Sequence, residues 1–171
     1  MIVVAIAFAA LPALASAIDF RGRVITQTNY GSGATIGTSN PSVGSSYSFE
    51  FIMSRITSPE QRFIQTGWIK RTACGSSPRV YVENYKDTGG YNGHCLMQYA
   101  PSGDNDYYQE YDGNTGYWCH GYNGTCVESK SASTVVGFST GTLCQRMNLS
   151  QNANASASGR PYNRRFCRSR H

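Results

Sequence analysis

The chain has 171 residues, a formal net charge of +5 at pH 7, 12 Tyr and 18 Gly. It is rich in Ser, Thr and Asn and poor in Leu, Lys and Glu, and no long window shows helical period. That composition suits pleated, half-exposed surfaces joined by turns, and it excludes a helical bundle.

Residues 1–17 form an apolar run that ends Leu14-Ala15-Ser16-Ala17. Small residues at Ala15 and Ala17 fit the cleavage pattern of a secretory signal peptide. The run is short for a membrane span and is interrupted by Pro12. No later stretch is apolar enough to cross a bilayer, so no membrane span remains after signal removal and a secreted, extracellular product is expected. Roughly 150 residues then remain, enough for one domain with a core of its own.

Residues 18–46 read as an N-terminal strand followed by a Gly/Ser-rich loop, the loop starting at Gly31 and too polar to pack. Residues 47–171 read as the remainder of a single β domain. The segment 47–57 alternates, with Phe49, Phe51, Met53 and Arg55 on one side, and most of that side reads as a core face. Strand 62–70, RFIQTGWIK, puts Phe63, Gln65, Gly67 and Ile69 on one face. Strand 79–87, RVYVENYKD, puts Tyr81, Glu83 and Tyr85 on one face. A short strand is expected over 94–99, a break over 101–105 and a strand over 107–111. Asp112-Gly113-Asn114-Thr115-Gly116 is a hairpin turn leading into a returning strand over 117–122, and Asn123-Gly124 is a second hairpin signal. The apolar run inside 131–139 reads as a buried strand, 148–159 as a loop and 162–168 as a last strand. Strands recurring at short intervals with turns between them predict an antiparallel β-sandwich or barrel rather than alternating βα units.

Six cysteines in a secreted chain imply disulfides. The nearest neighbours in sequence give the pairs Cys74–Cys95, Cys119–Cys126 and Cys144–Cys167. No pair has zinc-ligand spacing, and the oxygen-rich turns near Asp104 and Asp112 complete no calcium loop, so neither a metal nor a cofactor is expected. Five arginines crowd residues 160–171. They offer a contact with an anionic cell wall, but lack the interleaved aromatics that nucleic-acid binding calls for.

Three groups of residues bear on function. Gln65 and Glu83 lie on neighbouring strands and can share a face. Glu110 is a further strand acid, and Glu110 and Asp112 stand two residues apart, although Asp112 is better explained by its turn. Tyrosines and tryptophan crowd residues 81–122, and Tyr81, Tyr85, Tyr108 and Trp118 supply stacking area for an extended polymer, either glycan or polypeptide.

The segments Ile64-Gln65-Thr66-Gly67, 80–85, 111–116 and Asn123-Gly124-Thr125 resemble, in that order, the secreted glutamic peptidases of the eqolisin type. The resemblance spans residues 47–138 and implies a concanavalin-like, disulfide-stapled two-sheet sandwich. In that family a Gln and a Glu on neighbouring strands activate water, and Gln65 matches the Gln. The family's catalytic Glu lies on a late strand, and the matching region here, 131–139, contains no acid. The expectation is therefore a non-catalytic binding module for an extended polymer, with Gln65 and Glu83 as hydrogen-bonding centre. The alternative is an acid-active peptidase or related hydrolase using Gln65 with Glu83 or Glu110.

Overall fold

The computed structural model of the chain describes residues 19–56, 61–86, 89–150 and 167–168. The expected signal segment 1–17 and, apart from the backbone of 167–168, the arginine-rich end 160–171 lie outside them. Among the described residues eleven strands build two antiparallel sheets: β1 (Asp19–Asn29), β2 (Gly31–Thr38), β3 (Tyr47–Ile56), β4 (Arg62–Arg71), β5 (Arg79–Lys86), β6 (Gly90–Leu96), β7 (Gly103–Asp112), β8 (Tyr117–Tyr122), β9 (Thr125–Ser131), β10 (Gly141–Ser150) and β11 (Cys167–Arg168). The six-stranded sheet runs β1-β10-β3-β4-β5-β6 and the five-stranded sheet β11-β2-β7-β8-β9. The all-β sandwich expected from strand spacing is the fold observed.

Alternation assigns the faces. Ile52, Trp68, Val80, Val82 and Leu96 of the six-stranded sheet meet Ile36 and Tyr107 of the other in one buried cluster. Register places Ile52 opposite Thr66, Thr66 opposite Val82 and Val82 opposite His94, so this row lines the inner face. The opposite face carries Met53, Gln65, Glu83 and Gly93, again directly paired. The expected core side of β3 is indeed buried, but it does not face the second sheet. Phe51 and Met53 are buried, but on the outer face, whereas Ile52 enters the space between the sheets. Alternation defines two faces of β3 and does not say which one meets the second sheet.

Three local expectations are also overturned. The Gly/Ser stretch from Gly31 is no loop: residues 31–38 form β2, paired with β7 from Gly31↔Glu110 to Thr38↔Gly103. Its inner positions are Ser32, Ala34 and Ile36, and Ile36 is fully buried. Backbone pairing does not require bulky side chains, which is why a polar, glycine-rich segment can run inside a sheet. Residues 132–136 form a single π-helical turn rather than a buried strand. Its apolar residues are still buried, Val136 and Phe138 packing on Ile64 and Trp118. Gly137 ends the turn at φ 83°, a left-handed conformation that favours glycine. The part of the expected 148–159 loop up to Ser150 belongs to β10, which lies between β1 and β3.

The disulfides Cys74–Cys95 and Cys119–Cys126 form as expected, with Cα atoms 6.0 and 5.6 Å apart. The Cys144–Cys167 pairing lies outside the described side chains. Cys74–Cys95 ties the turn after β4 to β6 across β5, and Cys119–Cys126 staples the β8–β9 hairpin.

Polar groups cross the inter-sheet space as well. Gln109, fully buried on β7, donates to the carbonyl oxygens of Ile52 (2.7 Å) and Ile64 (2.9 Å) and accepts from Ser32 Oγ (2.9 Å). One side chain thus links β7 to β2, β3 and β4. Buried His120 of β8 sits 2.8 Å from Thr66 Oγ1 through its Nδ1. At the sheet edges His94 of β6 pairs with Glu128 of β9 at 2.8 Å, and Lys130 pairs with the same carboxylate at 2.5 Å.

Two outcomes are expected. Gln109→Leu strands two buried carbonyls and a serine hydroxyl, and should cost about 3 kcal/mol in urea unfolding. Burial, reinforced by the positive charge of Lys130, holds the His120 imidazole down at about 3. The folded protein therefore keeps it neutral where the unfolded chain protonates. The stability this contributes is complete above about pH 6.5 and is lost as pH falls toward 3. In thermal melts His120→Gln should show a shallower loss of Tm across that window than the parent.

Candidate functional site

The outer face of the six-stranded sheet is built by consecutive odd-numbered residues of β3 to β6. Register sets Arg55 beside Phe63, Phe63 beside Tyr85 and Tyr85 beside Tyr91. The next row is Met53, Gln65, Glu83 and Gly93, and the row after it Phe51, Gly67, Tyr81 and Cys95. Arg79 and Arg71 stand toward the far end, Arg79 paired with Ile69 and Arg71 with Tyr47.

Gln65 and Glu83 therefore meet, as direct cross-strand neighbours. The Gln65 side-chain amide donates to a Glu83 carboxylate oxygen. Tyr81, two residues before Glu83 on the same face, donates its hydroxyl to the same carboxyl group. Gly93 makes this possible. A Cβ there would stand 2.3 Å from Tyr81 Oη and 2.8 Å from Glu83 Cγ, so only glycine leaves room for both side chains to fold over β6. The Arg71 guanidinium lies 5.7 Å from the centre of the Tyr81 ring, within cation–π reach, and its Nε donates to Cys74 Sγ at 3.0 Å.

Burial raises the Glu83 carboxyl above its usual range. The Tyr81 hydroxyl, the Arg71 charge and the Gln65 amide oppose the rise without cancelling it. Burial, with Glu83 alongside, also pushes the Tyr81 hydroxyl up. Gln65 itself is only 4% exposed, and Glu83 is half-buried.

Beside this polar pair lies a row of rings. Phe63 stacks on Tyr85 at 5.6 Å, Tyr85 lies 4.5 Å from Tyr91, and Tyr91 is 72% exposed. No family model matches the chain, and no curated protein matches it in sequence.

The other expected site residues lie elsewhere. Glu110 is exposed on the outer face of the five-stranded sheet, paired with Cys119 and Gly31. The whole sandwich separates it from Gln65, so it cannot share a site with it. Tyr108 is on that same far face, where its ring lies across Gly121. Trp118 is fully buried, with Nε1 donating to the Phe138 carbonyl at 2.7 Å and the ring packed between Tyr111 and Phe138. It supports the end of the core and offers no stacking surface. Glu50 is buried on the inner face of β3, opposite Trp68. Tyr91, Arg55, Arg71 and Arg79 were not among the expected site residues, yet they share the face with Gln65, Glu83 and the expected Phe63. Strand parity was the available signal, but the order of strands was needed to use it. Two cavities, of about 340 and 400 Å³, lie away from this face, one beside Tyr111 and Phe138 and the other between Val43 and Lys70.

The raised Glu83 carboxyl has a consequence for stability. A carboxyl that holds its proton more firmly when folded stabilises fully below its unfolded value, near 4.5, and loses that contribution as pH rises through the higher folded value. Glu83→Gln carries no such charge. The Tm of the parent relative to Glu83→Gln should therefore rise as pH drops from about 7 to about 4, and a constant difference would show that the burial of Glu83 is without effect.

Proposed function

We propose that the outer face of the six-stranded sheet is the binding surface of a secreted, extracellular, non-catalytic module for an extended polymer. The observation that carries this reading is the row Phe63, Tyr85 and Tyr91, three adjacent rings ending in a tyrosine open to solvent. Such a row buries apolar area at low entropic cost, because aromatic side chains have few rotatable bonds. The half-buried Glu83, held by Gln65 and Tyr81, supplies a polar contact alongside it.

The arrangement of Gln65 favours binding over chemistry. A Gln/Glu pair that activates water holds that water between the two groups, with the amide free to polarise the substrate carbonyl. Here the amide is spent directly on the Glu83 carboxylate and is almost inaccessible. A second reading is an acid-active hydrolase with Glu83 as general acid and base and Gln65 as its partner. It is favoured by the raised Glu83 carboxyl and by the Gln–Glu adjacency found in glutamic peptidases.

Retention of the full chain on insoluble cellulose, chitin and gelatin separates these readings. Retention on at least one matrix, weakened about tenfold in Tyr91→Ala and in Tyr85→Ala, is expected for the binding module. Equal retention of parent and variants would refute the proposed face. Cleavage of denatured protein at about pH 2–4 that disappears in Gln65→Ala would instead establish the hydrolase.

A further inference from the structure

The charges on the same face define its partner more narrowly. Among the described side chains of this face Arg55, Arg71 and Arg79 are cationic and Glu83 is the sole acid. That acid is already engaged by Gln65 and Tyr81. Arg55 stands at the inner end of the aromatic row, and Arg71 and Arg79 stand beyond the Gln65–Glu83 pair. From Tyr85 to Arg79 along β5 is about 20 Å, at roughly 3.3 Å per residue. The Nε atoms of Arg55 and of Arg79 are buried without a hydrogen-bond partner. Among the described residues no carboxylate pairs with either guanidinium, and both side chains are partly exposed, so the end-on fork of the two Nη groups, not the enclosed Nε, is left for a carboxylate or sulfate.

Resting on the polymer-binding reading above, we infer that the ligand is an acidic polysaccharide. Its sugar faces lie on Phe63, Tyr85 and Tyr91, and its anionic groups meet Arg55 at one end and Arg71 and Arg79 at the other. The face itself decides between a glycan and an acidic polypeptide. Backbone donors and acceptors in the interior of a sheet lie in its plane and pair with the neighbouring strands, so a peptide laid across the face finds no main-chain partners. Peptides that are recognised through their backbone add to a sheet edge instead. Flat rings and guanidinium groups are what remains on offer, and these suit sugar faces and their acidic substituents.

The test is affinity electrophoresis of the full chain at about 150 mM salt in gels containing polygalacturonate, dextran sulfate, neutral dextran or poly-L-glutamate. Retardation by polygalacturonate or dextran sulfate, with little by dextran or poly-L-glutamate, is expected; the first two arms separate carboxylate from sulfate recognition. Arg55→Gln and Arg79→Gln should each weaken it at least about fivefold and Arg55→Lys less, since lysine keeps the charge but not the fork. Near-UV circular dichroism establishes that the variants are folded. If a variant is not, loss of parent binding when Tyr91→Ala is introduced locates the ligand on this face. Retardation by neutral dextran alone, lost in Tyr91→Ala, would leave the polymer-binding face standing and overturn the acidic ligand. Equal retardation by poly-L-glutamate would overturn the polysaccharide assignment. Binding lost only when Arg164, Arg165 and Arg170 are changed to Gln would move the contact to the C-terminal end and overturn the inference. No retardation by any polymer, and no retention on the insoluble matrices, would remove both readings together.

Discussion

Gln109 is the side chain on which the arrangement of both sheets converges. It reaches from the five-stranded sheet to the carbonyls of Ile52 and Ile64, and it also holds Ser32, whose hydroxyl accepts in turn from Ser54. Hydrophobic contact between two sheets is not directional and tolerates small slides. Hydrogen bonds to named backbone carbonyls do not, and a buried amide left unpaired is costly. Gln109 therefore sets how β7 lies against β3 and β4. The carbonyl it holds on Ile64 is one residue from Gln65, and the Thr66–His120 contact lies on the residue after. The backbone that presents Gln65 outward is thus gripped from the inside on both sides.

That grip fixes the backbone from which the outward-facing polar pair projects. Alternation turns Gln65 away from the inner contacts and sets it directly against Glu83 on β5. Tyr81 closes on Glu83 from the same strand, and the bare backbone at Gly93 gives both side chains a place to fold. The Cys74–Cys95 disulfide crosses β5 at the Tyr81 row and keeps β6 beside it. Burial then acts on the chemistry, raising the Glu83 carboxyl because a charge is less well solvated there. A pair tied together in this way holds one fixed arrangement on the outer face.

Much of this was legible as pattern. Alternation in RFIQTGWIK and RVYVENYKD placed Gln65 with Phe63 and Glu83 with Tyr81 and Tyr85, and the register confirms both groupings. The nearest-neighbour rule for cysteines gave the two described disulfides. What pattern alone misjudged has a common cause. Trp118 and Tyr108 were grouped with Tyr81 and Tyr85 because all lie close together in the chain, yet they sit on the other sheet, one inside and one outside. Glu110 failed for the same reason. β2 was missed because a strand paired through its backbone carries little side-chain signal when its residues are Gly, Ser and Thr.

The amino-acid order by itself determined the class of structure, the two faces of each strand and the identity of the Gln65–Glu83 pair, because these depend on local periodicity and on neighbouring strands. Only the tertiary structure decided which face of β3 looks inward, and that Glu110, Tyr108 and Trp118 belong elsewhere. It also gathered Arg55, Arg71, Arg79 and Tyr91 around one pair. Those outcomes follow from the order of strands across two sheets and from which sheet each strand joins, and both are set by long-range packing that no local window contains.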